Sequence, residues 1–598
     1  MIVKMKKATM LCLHSDKESA LDKLRDLGVM HVELENRVES DDIASIEQVV
    51  AKIDRAAALL SARVVKDSSQ KQGNLSGLEI CNEAIEIVET DVALKKVLDE
   101  LVRDRDRLAP WGEFSQDLVA DLRAKDVHVY LCAATKEDIA KLPEHVSIHD
   151  IHEEGGEHYF LLISHDEMDE QMLPLANIPE GVSLSELNSS IAGYESKIMK
   201  NEARLDDLVH YIGTLEEYQK EIHEELEFTT NRDGMIDAGT VVHMTGYVPA
   251  PAVDELTQSA KDNGWGILVV EPASDDAVPT YVKVPKMFSA SKPIFDFIGI
   301  SPGYNEVDIS STFLVFFTIF FGMIIGDGGY GAIFLGLSLF AMTKATTAAA
   351  KRTVNLFTIL SVATVGWGFL TGNFFGVVNS AEALAAGNFQ WPAIMGGVEW
   401  FKNDQHIQLL CFMIAIVHLS IAHGWKLILQ INTLKAVGEI GWLGLIWGAF
   451  FVIAEMVVKM PILPMADAGM YLIGPGLLLM LLFSVDWTDI GDILNFPFGA
   501  LGGFVDLLSY IRLFAVGLSG YYVAVSFNQL GYGMFEAFPG GMVVGVLVIV
   551  FGHMLNIALC AMGVLVHGIR LNTLEFSGHL DLEWAGFVFA PFKKLINK

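Results

Sequence analysis

Every apolar stretch long enough to approach the width of a bilayer lies in the second half of this chain. The stretches fall at about 312–342, 353–378, 406–430, 437–460, 468–485, 498–530 and 541–572, and a spanning helix needs roughly 20 apolar residues. Up to about Lys292 the sequence is instead rich in Glu, Asp and Lys and has no run of that length. This division explains how a chain that is 52% apolar can carry a net charge of -32. A chain of 598 residues also exceeds one folding unit by its length alone. The boundary is placed at Ser301-Pro302-Gly303, with residues 1–300 forming a soluble arm and residues 301–598 a transmembrane domain.

Cys12, Cys81, Cys132, Cys411 and Cys560 are scattered without a C-x-x-C pair. That pattern is neither a disulfide framework nor a zinc site, and it fits a reducing compartment. The apolar patch before His14 and Ser15 is too short for a signal peptide, so the arm is expected in the cytoplasm. A chain this acidic is expected to have no nucleic-acid partner.

The arm reads as α+β: two small α/β lobes joined by a long antiparallel coiled coil. Residues 1–40 with 230–285 supply one lobe. Its expected strands are Val3 to Leu13, Val29 to Leu34, Val241 to Val248 and Gly266 to Val270, with helices from Lys17 to Leu27 and Val253 to Asn263. Residues 111–180 supply the other, with a strand Val127 to Ala133, a helix Lys136 to Leu142 and a hairpin turning at Gly155-Gly156. Between them, Leu184, Leu187, Ile191, Tyr194, Ile198, Asn201, Leu205, Leu208, Ile212, Leu215, Gln219, Ile222 and Leu226 alternate at +3/+4 spacing, the seam of a coiled coil. As one helix it would run roughly 65 Å. Its expected partners are 43–60 and 78–102, so the coiled coil covers about 41–110 with 184–228.

The transmembrane half reads as all-α with about eight crossing helices. The first apolar stretch is interrupted at Gly326-Asp327-Gly328-Gly329. Read as a two-helix hairpin, it puts Lys344, Lys351, Arg352, Lys435, Lys593 and Lys594 on the same side as the arm, as the positive-inside rule asks. Both termini are then cytoplasmic. Arg512 lies near the middle of the 498–530 stretch. An arginine there costs about 2.5–3.5 kcal/mol on insertion scales and cannot shed its proton, so it needs a carboxylate or a wet cavity. Ser509, Ser519 and Ser526 project within about 60° of it on an ideal helix. A carboxylate in the same bundle, such as Asp506, Asp327 or Glu455, is one alternative, although Asp506 projects some 120° away. On the last span His553, Asn556, Cys560, Gly563 and His567 share one face. Arg570 and Glu575 follow. Polar or small groups in such register suggest a water-lined path, while Arg570 could also anchor at the interface.

The segment Ser509-Tyr510-Ile511-Arg512-Leu513-Phe514-Ala515 resembles the arginine-bearing helix of the a/I subunit of rotary V-type and A-type ATPases. Further matches follow in the family's order. They are Met5-Lys6-Lys7, Leu27-Gly28-Val29-Met30-His31, Gly246-Tyr247-Val248-Pro249, Val278-Pro279-Thr280, Tyr304-Asn305-Glu306-Val307-Asp308, Phe321 to Asp327 and His567-Gly568-Ile569-Arg570-Leu571 with Glu575-Phe576. The resemblance implies a non-catalytic membrane stator of the bacterial or archaeal type, multi-pass in the cell membrane, beside a proteolipid c/K ring. Its arm would be held by peripheral stalk subunits E/G (or E/H), with catalytic A/B subunits and the central stalk engaged indirectly. No cofactor is implied, and ATP chemistry lies elsewhere, as there is no G-x-x-x-x-G-K-[ST] loop. Arg512 is then expected to have no permanent partner in this chain and to meet rotor carboxylates in turn, which favours their ionised form. Ser509, Ser519, Ser526, His553, Asn556, His567, Arg570 and Glu575 are the accompanying ion-path candidates.

The chain departs from the family at three places. Gly520 stands where eukaryotic relatives carry a His, Cys560 where they carry a Glu, and Asp308-Ile309-Ser310 where many read Asp-Pro-Thr. These leave the half-channel residues and the choice of H⁺ or Na⁺ open. Two other readings are a secondary transporter or channel with a regulatory domain, which should show inverted repeats, and a structural anchor for the stalk. His145, His149, His152 and His158 flank the Gly155-Gly156 turn and read as solvated loop positions rather than metal ligands.

Overall fold

The computed structural model describes the whole chain except residues 35–37, 64–74, 115, 140–145, 167, 169–172, 177, 180–181, 379–391, 393–394, 461–467, 486, 536 and 595–598. It divides into two compact units. One comprises Thr9–Gly246, Ser259–Ile267 and Phe592–Lys598, and the other Met1–Ala8, Tyr247–Gln258 and Leu268–Pro591.

Two sheets and a set of long helices make up the N-terminal part of the chain. Strands β1 (Met5–Leu13), β2 (His31–Glu33), β6 (Ile236–Asp237), β7 (Val241–Pro249) and β8 (Gly266–Val270) form a sheet of order β2-β7-β1-β8, with β6 on β7. Helix α1 (Lys17–Leu27) ends at Gly28, whose φ of +64° is a conformation open to glycine. Strands β3 (His128–Ala134), β4 (Ser147–Glu154) and β5 (Glu157–Ser164) pair antiparallel in the order β3-β5-β4. The β4–β5 turn is at Gly155-Gly156, both at positive φ. Alternation puts Tyr130, Cys132, Phe160 and Leu162 into one small core. Short helices α4 (Gln116–Arg123) and α5 (Lys136–Ile139) flank β3. The helix expected from Lys136 to Leu142 is described only to Ile139, its remainder falling outside the described residues.

Helices α2 (Asp41–Ser61) and α3 (Gly77–Leu108) pack against α6 (Leu184–Val209) and α7 (Ile212–Asp233). The pairs Ser40–Asp233, Asp54–Gln219 and Arg63–Asp206 fall in opposite order along the two segments, as do Glu83–Arg204 and Asp91–Asn201. The helices therefore run antiparallel. The seam is not one helix as its spacing suggested: it breaks at His210-Tyr211. There Ile53, Ala56 and Leu60 meet Ile80, Cys81 and Ala84 over Leu205, Leu208 and Leu215, so α2, α3 and the broken α6–α7 segment share one core. Such packing removes the need for an unbroken two-stranded seam. Both polar seam positions have partners, since Asn201 Nδ2 donates to Asp91 Oδ1 at 2.6 Å and Gln219 Nε2 to Asp54 Oδ1 at 2.7 Å.

The second unit holds α9 (Lys292–Ile298) and the apolar helices. These are α10 (Ser310–Ile325), α11 (Gly328–Lys344), α12 (Ala348–Thr371), α13 (Asp404–Leu429), α14 (Lys435–Met456), α15 (Ala468–Phe483), α16 (Ile490–Ser509), α17 (Ile511–Phe535) and α18 (Gly541–Gly563). Helix α8 (Val253–Asn263) precedes them in the chain. Among the described residues five stretches can cross a membrane by length and composition: α12, α13, α14, Ile490–Phe535 and Gly541–His579. Helices α10, α11 and α15 are shorter, at 16, 17 and 16 residues. The interrupted first stretch is two helices. Gly326 caps α10 at φ +66°, and Asp327 caps α11. Helices α14 and α15 meet through small residues: a Cβ on Gly441 would lie 2.7 Å from the Gly476 carbonyl, and one on Gly448 2.8 Å from that of Gly469.

Two outcomes are expected in the unit that holds the long helices. Leu208 is fully buried, so Leu208→Ala should cost about 2–5 kcal/mol in denaturant unfolding. Hydrogen bonding from Arg232 at 2.7 Å holds the Asp233 carboxyl below its ordinary 3.8, opposed by burial and helped by Ser40. A depressed carboxyl stabilises the fold above its unfolded pKa and loses that contribution as pH falls through its folded value. Asp233→Asn should therefore lower stability at pH 7 by about 1.5 kcal/mol. That difference should close on acidification below 3.8, as followed by thermal melts across pH.

Candidate functional site

Arg512 stands in the first turn of α17, just past a break in the helix. The break is at Tyr510, whose hydroxyl meets His418 Nδ1 on α13 at 2.8 Å. The His418 ring is clamped between Phe316 and Phe576, with centroids 3.8 and 4.2 Å away. A fully buried Tyr–His pair inside an aromatic clamp fixes the point from which Arg512 projects.

The expectation that Arg512 has no permanent partner in this chain is overturned. Arg512 Nη1 donates to Glu575 Oε1 at 3.1 Å, and its Nη2 to Ser509 Oγ at 3.0 Å. Arg570 Nε lies 3.3 Å from the same Glu575 oxygen. The partner is none of the three carboxylates considered from the sequence. Asp327 is spent on backbone amides, Asp506 turns to His579 at 3.3 Å, and Glu455 is exposed. The physical reason is the terminal helix, which widens into π turns at Val564–Gly568 and Leu571–Phe576. Residues five apart, such as Arg570 and Glu575, stack in a π-helix but diverge in an α-helix.

The charges in this cluster do not cancel. Two guanidiniums share one carboxylate, which leaves one positive charge. Among the described residues neither arginine has a second carboxylate within 4.0 Å. The Glu575 side chain is 2% exposed, Arg512 26% and Arg570 49%. The buried face of Arg512 is thus held by Glu575 and Ser509, while a quarter of the side chain faces outward.

Beyond Arg512 along α17 lies a polar network. His553 Nδ1 meets the Tyr330 hydroxyl at 2.6 Å, and its Nε2 meets Asn528 Oδ1 at 3.1 Å. Asn556 Nδ2 donates to the Tyr330 hydroxyl and to the Gly520 carbonyl. Of the candidates on the last span, His553 and Asn556 are therefore joined, while His567 is not part of this network and its Nδ1 is buried without a hydrogen-bond partner among the described residues. Ser519 and Ser526 are exposed on α17, and Ser526 Oγ donates to its own helix at Tyr522 O. A cavity of about 180 Å³ beside Gly517 and Tyr521 is lined by Thr371, Asn373 and Asp404. Two of the departures from the family pattern touch each other: a Cβ on Gly520 would sit 2.9 Å from Cys560 Sγ. A larger residue at 520 would need a different arrangement at 560.

Tyr330 and Asn528 were not anticipated. Neither stands out from the other polar side chains of its helix, and only the fold brings it to His553. Their signal is the general one, that polar groups inside membrane helices find each other. Among the described residues no group of three His, Cys, Asp or Glu could hold a metal. His158 lies 3.4 Å from both Asp150 and Glu153, and His145 falls outside the described residues.

No family model matches the chain. It is 28% identical to "V-type ATP synthase subunit I" of Borreliella burgdorferi over 614 positions, covering all of both chains. It is 28% identical to "V-type ATP synthase subunit I 1" of Treponema pallidum over 633 positions, covering 99% of this chain and all of that one. With "A-type ATP synthase subunit I" of Pyrococcus horikoshii the identity is 24% over 440 positions, 69% of this chain and 64% of the other. Among solved structures, the crystal structure of the cytoplasmic N-terminal domain of a V-ATPase subunit I aligns with 44% of this chain and 99% of its own at 12% identity. The TM-score is 0.23, too low to carry a structural argument.

The buried carboxylate of Asp327 accepts from the amides of Gly329, Tyr330, Phe375 and Gly376 at 2.8 to 3.2 Å. Asp327→Ala should leave those donors unpaired and lower stability in detergent by more than about 3 kcal/mol. Asp327→Asn, which keeps one accepting oxygen, should lose less in the same thermal melt.

Proposed function

We propose that this chain is the subunit I of a rotary V/A-type ATPase, a non-catalytic membrane stator that passes ions against a proteolipid ring. The full-length similarity to proteins named V-type ATP synthase subunit I supports the complex. The observation that carries the role is the unbalanced cluster of Arg512, Arg570 and Glu575, held rigidly and partly open to the outside.

A rotor carboxylate that arrives protonated or ion-bound meets a fixed guanidinium. The opposite charge favours the ionised carboxylate, so the ion is released. Glu575 neutralises one arginine and holds the other in place without cancelling the field that does this work. The ladder of contacts across the last two helices gives the order along the membrane helices. Asp506 meets His579, Arg512 meets Glu575, Gly520 meets Asn556 and Asn528 meets His553. Polar groups thus lie on both sides of the arginine along the helix pair, as entry and exit half-channels separated by a fixed charge require. Ser509, Arg570, His567 and the exposed Ser519 and Ser526 are assigned to the same path. The acidic arm, with the N-terminal unit and the C-terminus in the cytoplasm, binds peripheral stalks that stop the stator turning with the ring.

One observation favours a second reading, a structural anchor in which Glu575 simply satisfies a packed arginine. Arg512→Ala separates the two in the assembled complex. The stator reading expects ion pumping to fall at least 100-fold while the complex still co-purifies. Pumping at the level of the unmodified complex would leave only the anchor.

A further inference from the structure

A second set of buried titratable groups lies in the membrane unit away from the cluster around Arg512. His423 on α13 is 1% exposed and uses both ring nitrogens. Its Nδ1 meets Glu439 Oε2 of α14 at 2.6 Å, and its Nε2 meets Nδ1 of His579 at 2.8 Å. His579 Nε2 lies 3.3 Å from Asp506 Oδ2 on α16, within ion-pair distance but without hydrogen-bond alignment. At the other end Lys426 Nζ is 3.4 Å from Glu439 Oε1 and 2.7 Å from Asp581 Oδ2. Asp581 is 74% exposed and Asp506 36%. The Trp442 ring stacks on His423 at 5.1 Å and shields it.

A run of six ionisable groups therefore leads inward from exposed Asp581 to Asp506, six residues before Arg512, with no gap above 3.4 Å. Packing alone does not call for it. Burying two imidazoles, two carboxylates and an ammonium costs more than filling the same volume with apolar side chains, and intramembrane ionisable groups mark ion pathways.

We infer that the ion this protein passes is the proton, handed from Glu439 through the His423–His579 pair to Asp506. This rests on the ion-translocating reading above and fixes the cation for it. The 2.8 Å link between the two imidazoles carries this assignment. Two imidazole nitrogens at that separation share one hydrogen, and nothing larger fits between them. A hard alkali cation is coordinated by oxygens, whereas the link offers two nitrogens.

The hand-over balances. A proton leaves the Glu439 carboxyl for His423 Nδ1 as the Nε2 proton of His423 moves to His579 Nδ1. The Nε2 proton of His579 then passes to the Asp506 carboxylate after a small turn of the ring. One proton enters and one leaves, only O–H and N–H bonds change, and each ring resets by exchanging its tautomer.

The test uses the assembled complex in sealed vesicles, with ATP-driven acidification followed by a pH-sensitive dye and ²²Na⁺ uptake measured in parallel. Acidification without sodium, abolished by a protonophore, is the expected result for the unmodified complex. His423→Gln and His579→Gln keep hydrogen-bonding groups but cannot relay a proton, and each should lower the rate at least 10-fold in a complex that still co-purifies. Asp506→Asn, at the half-exposed end where folding is least at risk, should do the same. Sodium-dependent ATPase activity with ²²Na⁺ uptake overturns the proton assignment. Unchanged acidification in Asp506→Asn and His423→Gln, with Arg512→Ala inactive, overturns the relay and leaves the stator reading standing. Unchanged acidification in Arg512→Ala overturns the stator reading itself.

Discussion

The membrane unit depends on a single carboxylate shared by two arginines. A guanidinium inside a bilayer cannot be neutralised by losing its proton, so the chain must supply a counter-charge. Full compensation would make Arg512 an inert structural ion pair. Glu575 supplies half of what the two arginines need, through one oxygen that meets both. Its second oxygen is buried without a hydrogen-bond partner among the described residues. Such a carboxylate is held in place by its cations more than by its surroundings. The helix widening that aligns Arg570 with Glu575, and the Tyr510–His418 contact that sets Arg512 opposite them, are both prerequisites for that geometry.

A second buried carboxylate has the opposite character. Among the described residues Asp327 meets no cation, and it accepts four backbone amides instead, two from its own helix start and two from the 375–376 turn. It makes the α10–α11 interruption possible. Without an acceptor there, a turn between two apolar helices would bury unpaired amides. It also sets the start of α11, and with it Tyr330, whose hydroxyl joins His553 to Asn556.

Much of this was legible in the sequence where local chemistry decides. Gly28, Gly155-Gly156 and Gly326 ended or turned elements where their positions indicated, and the hydrophobic spacing located the helices of the arm and the membrane. What was not legible depends on distance in the chain or on departures from ideal geometry. The 184–226 seam kept its spacing through His210-Tyr211, so periodicity alone could not reveal a break that packing against both α2 and α3 allows. Glu575 was noticed, but an α-helical projection places it away from Arg570 and gives no reason to join it to Arg512. His423, Glu439 and His579 come from three separate segments. Each alone is an ordinary polar residue near a helix end or on an apolar face.

The contrast between the two polar groups flanking Arg512 bears on how a stator can work. On the Asn528 side, neutral side chains dominate: Asn528, Asn556 and Tyr330 around one histidine. Such groups orient water and hold little charge. On the Asp506 side, carboxylates, imidazoles and a lysine stand in succession. Charge there can be moved but also trapped, because each group binds its neighbour's proton in a low-dielectric setting. Under the proposed proton path, a fixed positive charge between the two sides would keep protons from running directly from one to the other, since a proton approaching Arg512 meets a like charge. In the proposed stator role, the cation left over by Glu575 would therefore act twice, discharging a visiting carboxylate and keeping the two polar paths from becoming one.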